Sequence, residues 1–195
     1  AAVQAYLDKR RIRRGIAVRF GMGAAPDSWD ALLTAMTHKG YTKQELISAG
    51  LAVNGKNGRL YDKFRNRLML PVIDVRGDVV GFGSRVLDKS EPKYMNTPET
   101  LTYSKRRILY GMNLAKKSKR SNIILCEGNL DVVTLHQAGF DNAVASMGTA
   151  LTQEQLRLLS RYTKELVLCY DNDNAGQLAT QRALELLTNS EFSVK

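Results

Sequence analysis

The chain has 195 residues, 44% of them hydrophobic and 25% charged, with 29 Lys and Arg against 19 Asp and Glu for a net charge of +10. That length suits one large domain or two fused lobes, each with its own core, and the composition is that of a soluble globular protein. No apolar run approaches the length of a membrane span, and Ala1 to Tyr6 have neither the charged flank nor the apolar core of a signal peptide, so a cytoplasmic protein with no membrane partner is expected. Tyr6 to Arg14 reads as a basic helix bearing Lys9, Arg10, Arg11, Arg13 and Arg14. Asp27 and Ser28 then start a helix through Thr37, with Trp29, Leu32, Leu33 and Met36 on one face, and Thr42 with Glu45 forms a capping box for a second. Asn54-Gly55 and Asn57-Gly58 are tight-turn signals that hand over to β structure. From Leu60 to Leu87 the pattern is strands: Arg67 to Ile73, a turn near Arg76 and Gly77, then Val79 to Leu87, where Gly81 and Gly83 imply close approach by a neighbour or ligand.

Charge is unevenly divided. Residues 1–120 hold 24 basic and 10 acidic side chains, a net of +14, whereas 121–195 hold 5 and 9, a net of −4. A basic lobe joined to an acidic one suits a protein that grips a polyanion with one part and gathers metal ions with the other; the plainer reading is a basic surface that only aids solubility. Arg65, Arg67, Arg85, Lys93, Tyr94, Asn96 and Lys105 are scattered along the basic part and could line a groove for phosphates and bases. Lys116 to Arg120 reads as a solvated linker.

The acidic part alternates strand and helix, hence a mostly parallel sheet. Strands are expected at Asn122–Cys126, Asn142–Ser146 and Glu165–Tyr170. Helices are expected at Leu130–Ala138, closed by Gly139, after the Thr152–Gln155 capping box with Leu156, Leu159 and Tyr162, and at Ala175–Leu187 with Leu178, Ala179, Leu186 and Leu187 inward. Glu191 to Lys195 starts a fourth strand. The only cysteines, Cys126 and Cys169, end strands and read as buried reduced thiols; no Cys-x-x-Cys pattern encodes a zinc site, and His38 and His136 have no neighbours at ligand spacing.

Two apolar strands deliver acids to one sheet edge: Glu127 and Asp131 after the first, Asp171 and Asp173 after the third. Ligands bind in the crevice beyond the carboxyl ends of such strands, and crowded carboxylates call for a cation, with hard oxygen donors suiting Mg²⁺ or Mn²⁺. The rival reading is acids that cap helix N-termini; against it, Asn174 is available as the cap of the last helix and Glu127 precedes its helix altogether.

Three motifs here, Glu127-Gly-Asn-Leu-Asp131-Val, Ala145-Ser-Met-Gly-Thr149 and Tyr170-Asp171-Asn-Asp173-Asn-Ala-Gly176, resemble the TOPRIM fold of topoisomerases and primases, and among those the DnaG-type bacterial primases. Upstream, Phe64-Arg-Asn-Arg-Leu-Met-Leu-Pro71, Gly81 to Val86, Pro92 to Glu99 and Leu109-Tyr-Gly111 resemble the basic lobe of the same family. The resemblance implies an α/β protein in which a mixed α+β basic N-terminal lobe (1–120) precedes a TOPRIM-like parallel-sheet α/β lobe (121–195) that is truncated at its C-terminus. It further implies synthesis of RNA primers on a single-stranded DNA template from ribonucleoside triphosphates. Glu127, Asp171 and Asp173 are then catalytic, Glu127, Asp131, Asp171 and Asp173 bind Mg²⁺ or Mn²⁺, and Arg10, Arg65, Arg67, Arg85, Lys93, Tyr94, Asn96 and Lys105 contact nucleic acid or nucleotide. Family members also carry a zinc module, later carboxylates and a helicase-binding domain; without these or an initiator Met, the chain reads as a fragment. Asn129 stands where the family has an aromatic residue and Asn172 where it has Gly, a position at which Asn still takes a left-handed conformation. The alternatives are another TOPRIM enzyme, topoisomerase or nuclease, and a non-catalytic nucleic-acid-binding module.

Overall fold

The computed structural model describes residues 2–148 and 150–195, which leaves Thr149 of the second TOPRIM-like motif outside the described residues. The chain packs as two units, one taking it up to Pro71 together with Val80–Ser104, the other Val72–Val79 with Lys105–Lys195. Charge changes sign near residue 120 whereas packing changes at Ser104. Residues 105–120 are basic, yet Leu109, Met112 and Ala115 belong to the core of the second unit.

The first unit opens with α1 (Ala2–Lys9) and α2 (Arg14–Arg19) rather than one basic helix. Arg11 takes a left-handed φ of 55°, and the turn closes with Arg11 N–H on Asp8 O and Ile12 N–H on Leu7 O, both at 2.9 Å. This is a Schellman ending that folds Ile12 back beside Leu7; both are buried, and their burial outweighs the roughly 1 kcal/mol cost of a non-glycine residue in that conformation. After β1 (Gly23–Ala25), α3 (Ala31–His38) starts later than the sequence suggests. Its first turn is satisfied from a distance, by the buried Asp62 carboxylate accepting from the N–H groups of Leu32 and Leu33 at 2.7 and 2.8 Å. Trp29 is thereby left ahead of the helix and 58% exposed. The Thr42 capping box opens α4 (Lys43–Ser48) as expected, and β2 (Ala52–Asn54) pairs with β3 (Leu60–Asp62) across the Asn-Gly turns. A four-stranded sheet follows in the order β1, β4 (Arg67–Ile73), β5 (Val79–Val86), β6 (Tyr94–Asn96). Alternate residues Leu68, Leu70 and Val72 of β4 are buried, the period of a strand with one face on a core. At Gly81 a Cβ would stand 3.1 Å from the Tyr103 ring and 3.2 Å from Thr97, so the close neighbour there is the chain itself.

The second unit carries β7 (Leu109–Tyr110), α5 (Met112–Ala115), β8 (Asn122–Cys126), α6 (Asn129–Gln137), β9 (Ala143–Ser146), α7 (Gln153–Leu159), β10 (Glu165–Cys169), α8 (Asn174–Leu187) and β11 (Ser193–Val194). The sheet order is β11-β10-β8-β9-β7, parallel except for the β7–β9 pair. Its core joins Ile123, Leu125 and Val144 to Leu156, Leu159, Leu166 and Leu187. Three expected inward residues are not buried: Cys169, Leu178 (47% exposed) and Tyr162 (42% exposed). Cys169 is the last residue of β10. His136 is a buried structural residue, with Nε2 2.9 Å from Ala143 O. Arg120 of the expected solvated linker is tied down: its guanidinium donates to Gly139 O at 3.0 Å and lies 5.3 Å from the Phe140 ring centre.

Candidate functional site

In the second unit, parallel register sets Cys126 of β8 beside Cys169 of β10, so the chain emerges from the two strands side by side. Glu127 follows one and Tyr170-Asp171 the other, and the Asp171 N–H donates to Glu127 Oε1 at 3.0 Å. Glu127 is half-buried. Burial, together with the negative charges of Asp171, Asp173 and Asp131, raises its pKa above the ordinary carboxylate value against the lowering effect of the Asp171 N–H. Glu127 thus feels the charge of each of the other three acids. Burial also pushes the Cys126 thiol up to about 12, helped by Cys169 and Asp131, and the Tyr170 phenol up to about 12, helped by Cys126 and Glu127; neither ionises near neutrality.

Two of the acids also serve the backbone. Asp131, in the first turn of α6, accepts from the Gly128 N–H at 3.0 Å through Oδ2. Asp173, not Asn174, is the N-cap of α8, with Oδ1 accepting from the Gly176 N–H at 2.8 Å. Asn172 does not take the left-handed conformation expected of it; Arg11 and Asn66 do. Gly176 has a packing reason: a Cβ there would lie 1.9 Å from Asp171 O and 2.5 Å from Glu127 Oε1. The first turn of α8 thus presses on the loop that carries the acids, which a glycine in that motif announces in the sequence.

The donor set, carboxylate oxygens with a raised Glu127 pKa, is the chemistry that suits a hard divalent cation. Among the described residues, however, no three Asp, Glu, His or Cys side chains stand close enough together to hold a metal ion. The expected shared four-acid site is therefore not assembled in this conformation. Glu127 and Asp173 each accept their hydrogen bond through one of two carboxylate oxygens.

In the first unit the basic candidates fall into two clusters around aromatic rings. Arg85 lies 4.4 Å from the centre of the Tyr6 ring and 5.9 Å from Tyr94, Arg10 lies 5.7 Å from Tyr6, and Lys93 5.5 Å from Tyr94. Antiparallel pairing sets Tyr94 opposite Arg85 and Asn96 opposite Gly83. Arg65 belongs to the other cluster, 4.1 Å from the Trp29 ring and 5.0 Å from Tyr61. Arg67 is buried, donating to Pro92 O at 2.9 Å, and burial followed by the charge of Arg65 lowers its pKa. Arg67 Nη1 and Arg85 Nε are buried without a hydrogen-bond partner. Lys105 is packed in the second unit, where its carbonyl accepts from Gln155 Nε2 at 3.0 Å. Tyr6, Trp29 and Tyr61 were absent from the sequence-based set. Their signal is a ring brought to a cation by folding, which spacing along the chain does not encode.

The second unit is a mostly parallel α/β sheet with acids at its carboxyl edge, and the first is a basic α+β unit. Residues 1–116 match the family described as DNA primase catalytic core, N-terminal domain, and residues 124–195 match the Toprim-like family. The chain belongs to the DNA primase catalytic core family. It is 50% identical over 191 residues to the DNA primase of Clostridium acetobutylicum, covering 97% of this chain and 32% of that protein. It is 44% identical over 182 residues to that of Escherichia coli K12, covering 92% of this chain and 31% of that one. The solved structure of a DnaG primase catalytic domain bound to ssDNA superposes with a TM-score of 0.91 at 40% identity, covering 100% of this chain and 64% of that one. The RNA polymerase domain of the Mycobacterium tuberculosis primase DnaG gives 0.86 at 39%, covering 94% of this chain and 63% of that one. The chain thus spans about a third of the length of the curated relatives it matches. No helix among the described residues is long and apolar enough to cross a membrane.

Proposed function

We propose that this chain is the catalytic part of a cytoplasmic primase that synthesises RNA primers on single-stranded DNA. In that reaction a primer 3′-hydroxyl attacks the α-phosphate of an incoming ribonucleoside triphosphate, forming the new P–O bond, breaking the bond to the β-phosphate, and releasing pyrophosphate and a proton. Glu127, Asp131, Asp171 and Asp173 would hold divalent metal, Mg²⁺ or Mn²⁺, which when bound acidifies the hydroxyl and offsets charge on the leaving group. Glu127 acts as ligand or as general base, and Gly176 lets α8 hold the Asp171 loop against it. Arg10, Arg65, Arg67, Arg85 and Lys93 orient phosphates, Tyr94 offers a stacking face and Asn96 an amide, and Lys105 contributes from the second unit. The replicative helicase would be engaged by a domain that lies outside these residues.

The observation that carries this reading is Glu127 at the carboxyl edge of a parallel sheet, bonded to the Asp171 N–H at 3.0 Å, with its pKa raised by burial and by the charges of Asp171, Asp173 and Asp131. The test is incorporation of labelled ribonucleotides by the full-length protein on a single-stranded template, with Mg²⁺ or Mn²⁺ added after chelation. Short RNA products that require the metal and vanish in Asp171→Asn are expected. Template cleavage in place of synthesis, or synthesis unaffected by Asp171→Asn, would overturn the assignment.

A further inference from the structure

Outside the acidic edge, the second unit carries a groove of about 430 Å³ between α7 and the segments around Val75 and Ile108. Glu154, Arg157, Leu158 and Arg161 recur at spacings of three and four, which puts them in one stripe along α7 and just past its end. Ile108 and Leu158 line the floor half-exposed, while the guanidinium-bearing residues Arg107, Arg157 and Arg161 are exposed along its rim. Both rim acids are already engaged. Glu154 lies 3.5 Å from Arg106, and Asp74 Oδ1 accepts from the N–H groups of Arg76, Gly77 and Asp78 at 2.8, 3.0 and 3.0 Å. Glu154 also interacts with Arg157 and Arg107, and with Arg107, Arg157 and Arg161 against Glu154 and Asp74 the lining carries one excess positive charge above an apolar floor. No aromatic ring lines the groove, so a nucleic-acid strand would find phosphate contacts but no stacking face.

We propose that this groove docks an acidic peptide segment of a partner protein, its carboxylates on Arg107, Arg157 and Arg161 and an apolar side chain on Ile108 and Leu158. Guanidinium groups hold carboxylates bidentately. The groove contains none of the residues assigned to metal, template or nucleotide, so the inference stands apart from the proposed activity.

The test is fluorescence anisotropy of this chain with a short fluorescein-labelled peptide that alternates aspartate with leucine and phenylalanine, run beside its asparagine counterpart and a single-stranded oligodeoxynucleotide. The acidic peptide binds and the asparagine counterpart does not. A combined Arg157→Ala and Arg161→Ala variant weakens the peptide at least about fivefold and leaves the oligonucleotide unchanged. Lys117→Ala with Lys119→Ala, the same charge change at exposed positions outside the groove, leaves the peptide within about twofold. Absence of peptide binding, equal losses from the two pairs, or a loss confined to the oligonucleotide overturns the proposal.

Discussion

The Asp171 N–H donates to the Glu127 carboxylate at 3.0 Å, joining the ends of two parallel strands whose residues lie far apart in sequence. That bond fixes one Glu127 oxygen. What keeps the loop in place is the first turn of α8, which approaches too closely to admit a side chain at Gly176.

Gly176→Ala is therefore expected to cost activity and stability together. A methyl group 1.9 Å from Asp171 O has to displace backbone, and such overpacking costs about 1–3 kcal/mol. Urea denaturation should record a lower midpoint, and ribonucleotide incorporation should fall sharply. A variant as stable and active as the parent would mean that the loop moves away freely.

Asp171 and Asp173 separate by role. Asp173→Ala removes the α8 cap and should cost about 1 kcal/mol, whereas Asp173→Asn keeps a capping oxygen and should leave stability within a few tenths of that. Asp171→Asn removes a charge from a crowded set and should leave the metal-free fold no less stable. Both asparagine variants should lose Mn²⁺ binding, followed by calorimetry, and primer synthesis. Full activity in Asp173→Asn would reduce Asp173 to a cap.

Local signals read well where the physics is local. The Thr42 and Thr152 capping boxes, the Asn-Gly hairpin and the β4 and β5 strands depend on neighbours within a few residues, and each forms as the sequence indicates. The acids were placed at the right edge because strand periodicity and the TOPRIM-like motifs agree. What failed was non-local. The start of α3 is set by Asp62, thirty residues on, and the break at Arg11 by the burial of Ile12. The pairing of Arg85 with Tyr6 arises from packing that brings an N-terminal ring to a distant strand. Capping by Asp173 rather than Asn174 shifts a helix start by one residue, a difference propensity does not resolve.

Asp62→Ala should destabilise the first unit more than a surface change. It leaves the N–H groups of Leu32 and Leu33 without their acceptor at a buried position, at about 1–3 kcal/mol for each unsatisfied donor that water does not reach. Hydrogen exchange should rise first in α3, and Asp62→Asn, which keeps one acceptor oxygen, should recover part of the loss.

Asp74 sets an acid limit on the hairpin tip. Burial alone would raise its pKa, but the N–H groups of Asp78, Arg76 and Gly77 and the Arg76 side chain hold it below the ordinary 3.8. A group with a lowered folded pKa contributes stability that is fully present above its unfolded value and lost as pH falls through the folded one. The parent should therefore lose stability below about pH 4 more steeply than Asp74→Asn, whose side chain does not titrate there. Parallel curves for the two proteins in acid unfolding would remove Asp74 from the account.

Arg85 and Tyr94 should affect template binding in different ways, although they face each other across β5 and β6. Arg85 carries a charge on this face of the sheet, with its guanidinium over the Tyr6 ring and donating to Val86 O at 3.1 Å. Arg85→Ala should weaken binding of single-stranded DNA and reduce the slope of log affinity against log salt by about 0.7 for one lost phosphate contact. Tyr94 is 52% exposed and carries no charge, so Tyr94→Ala should lose about 1–3 kcal/mol of base stacking with the salt slope unchanged. Fluorescence titrations with a labelled oligodeoxynucleotide at several salt concentrations distinguish the two. If Arg85→Ala kept the parent slope while losing affinity, its contribution would be to position Tyr6 and Tyr94 rather than to touch phosphate. If neither variant lost affinity, this face of the sheet would not be the template path.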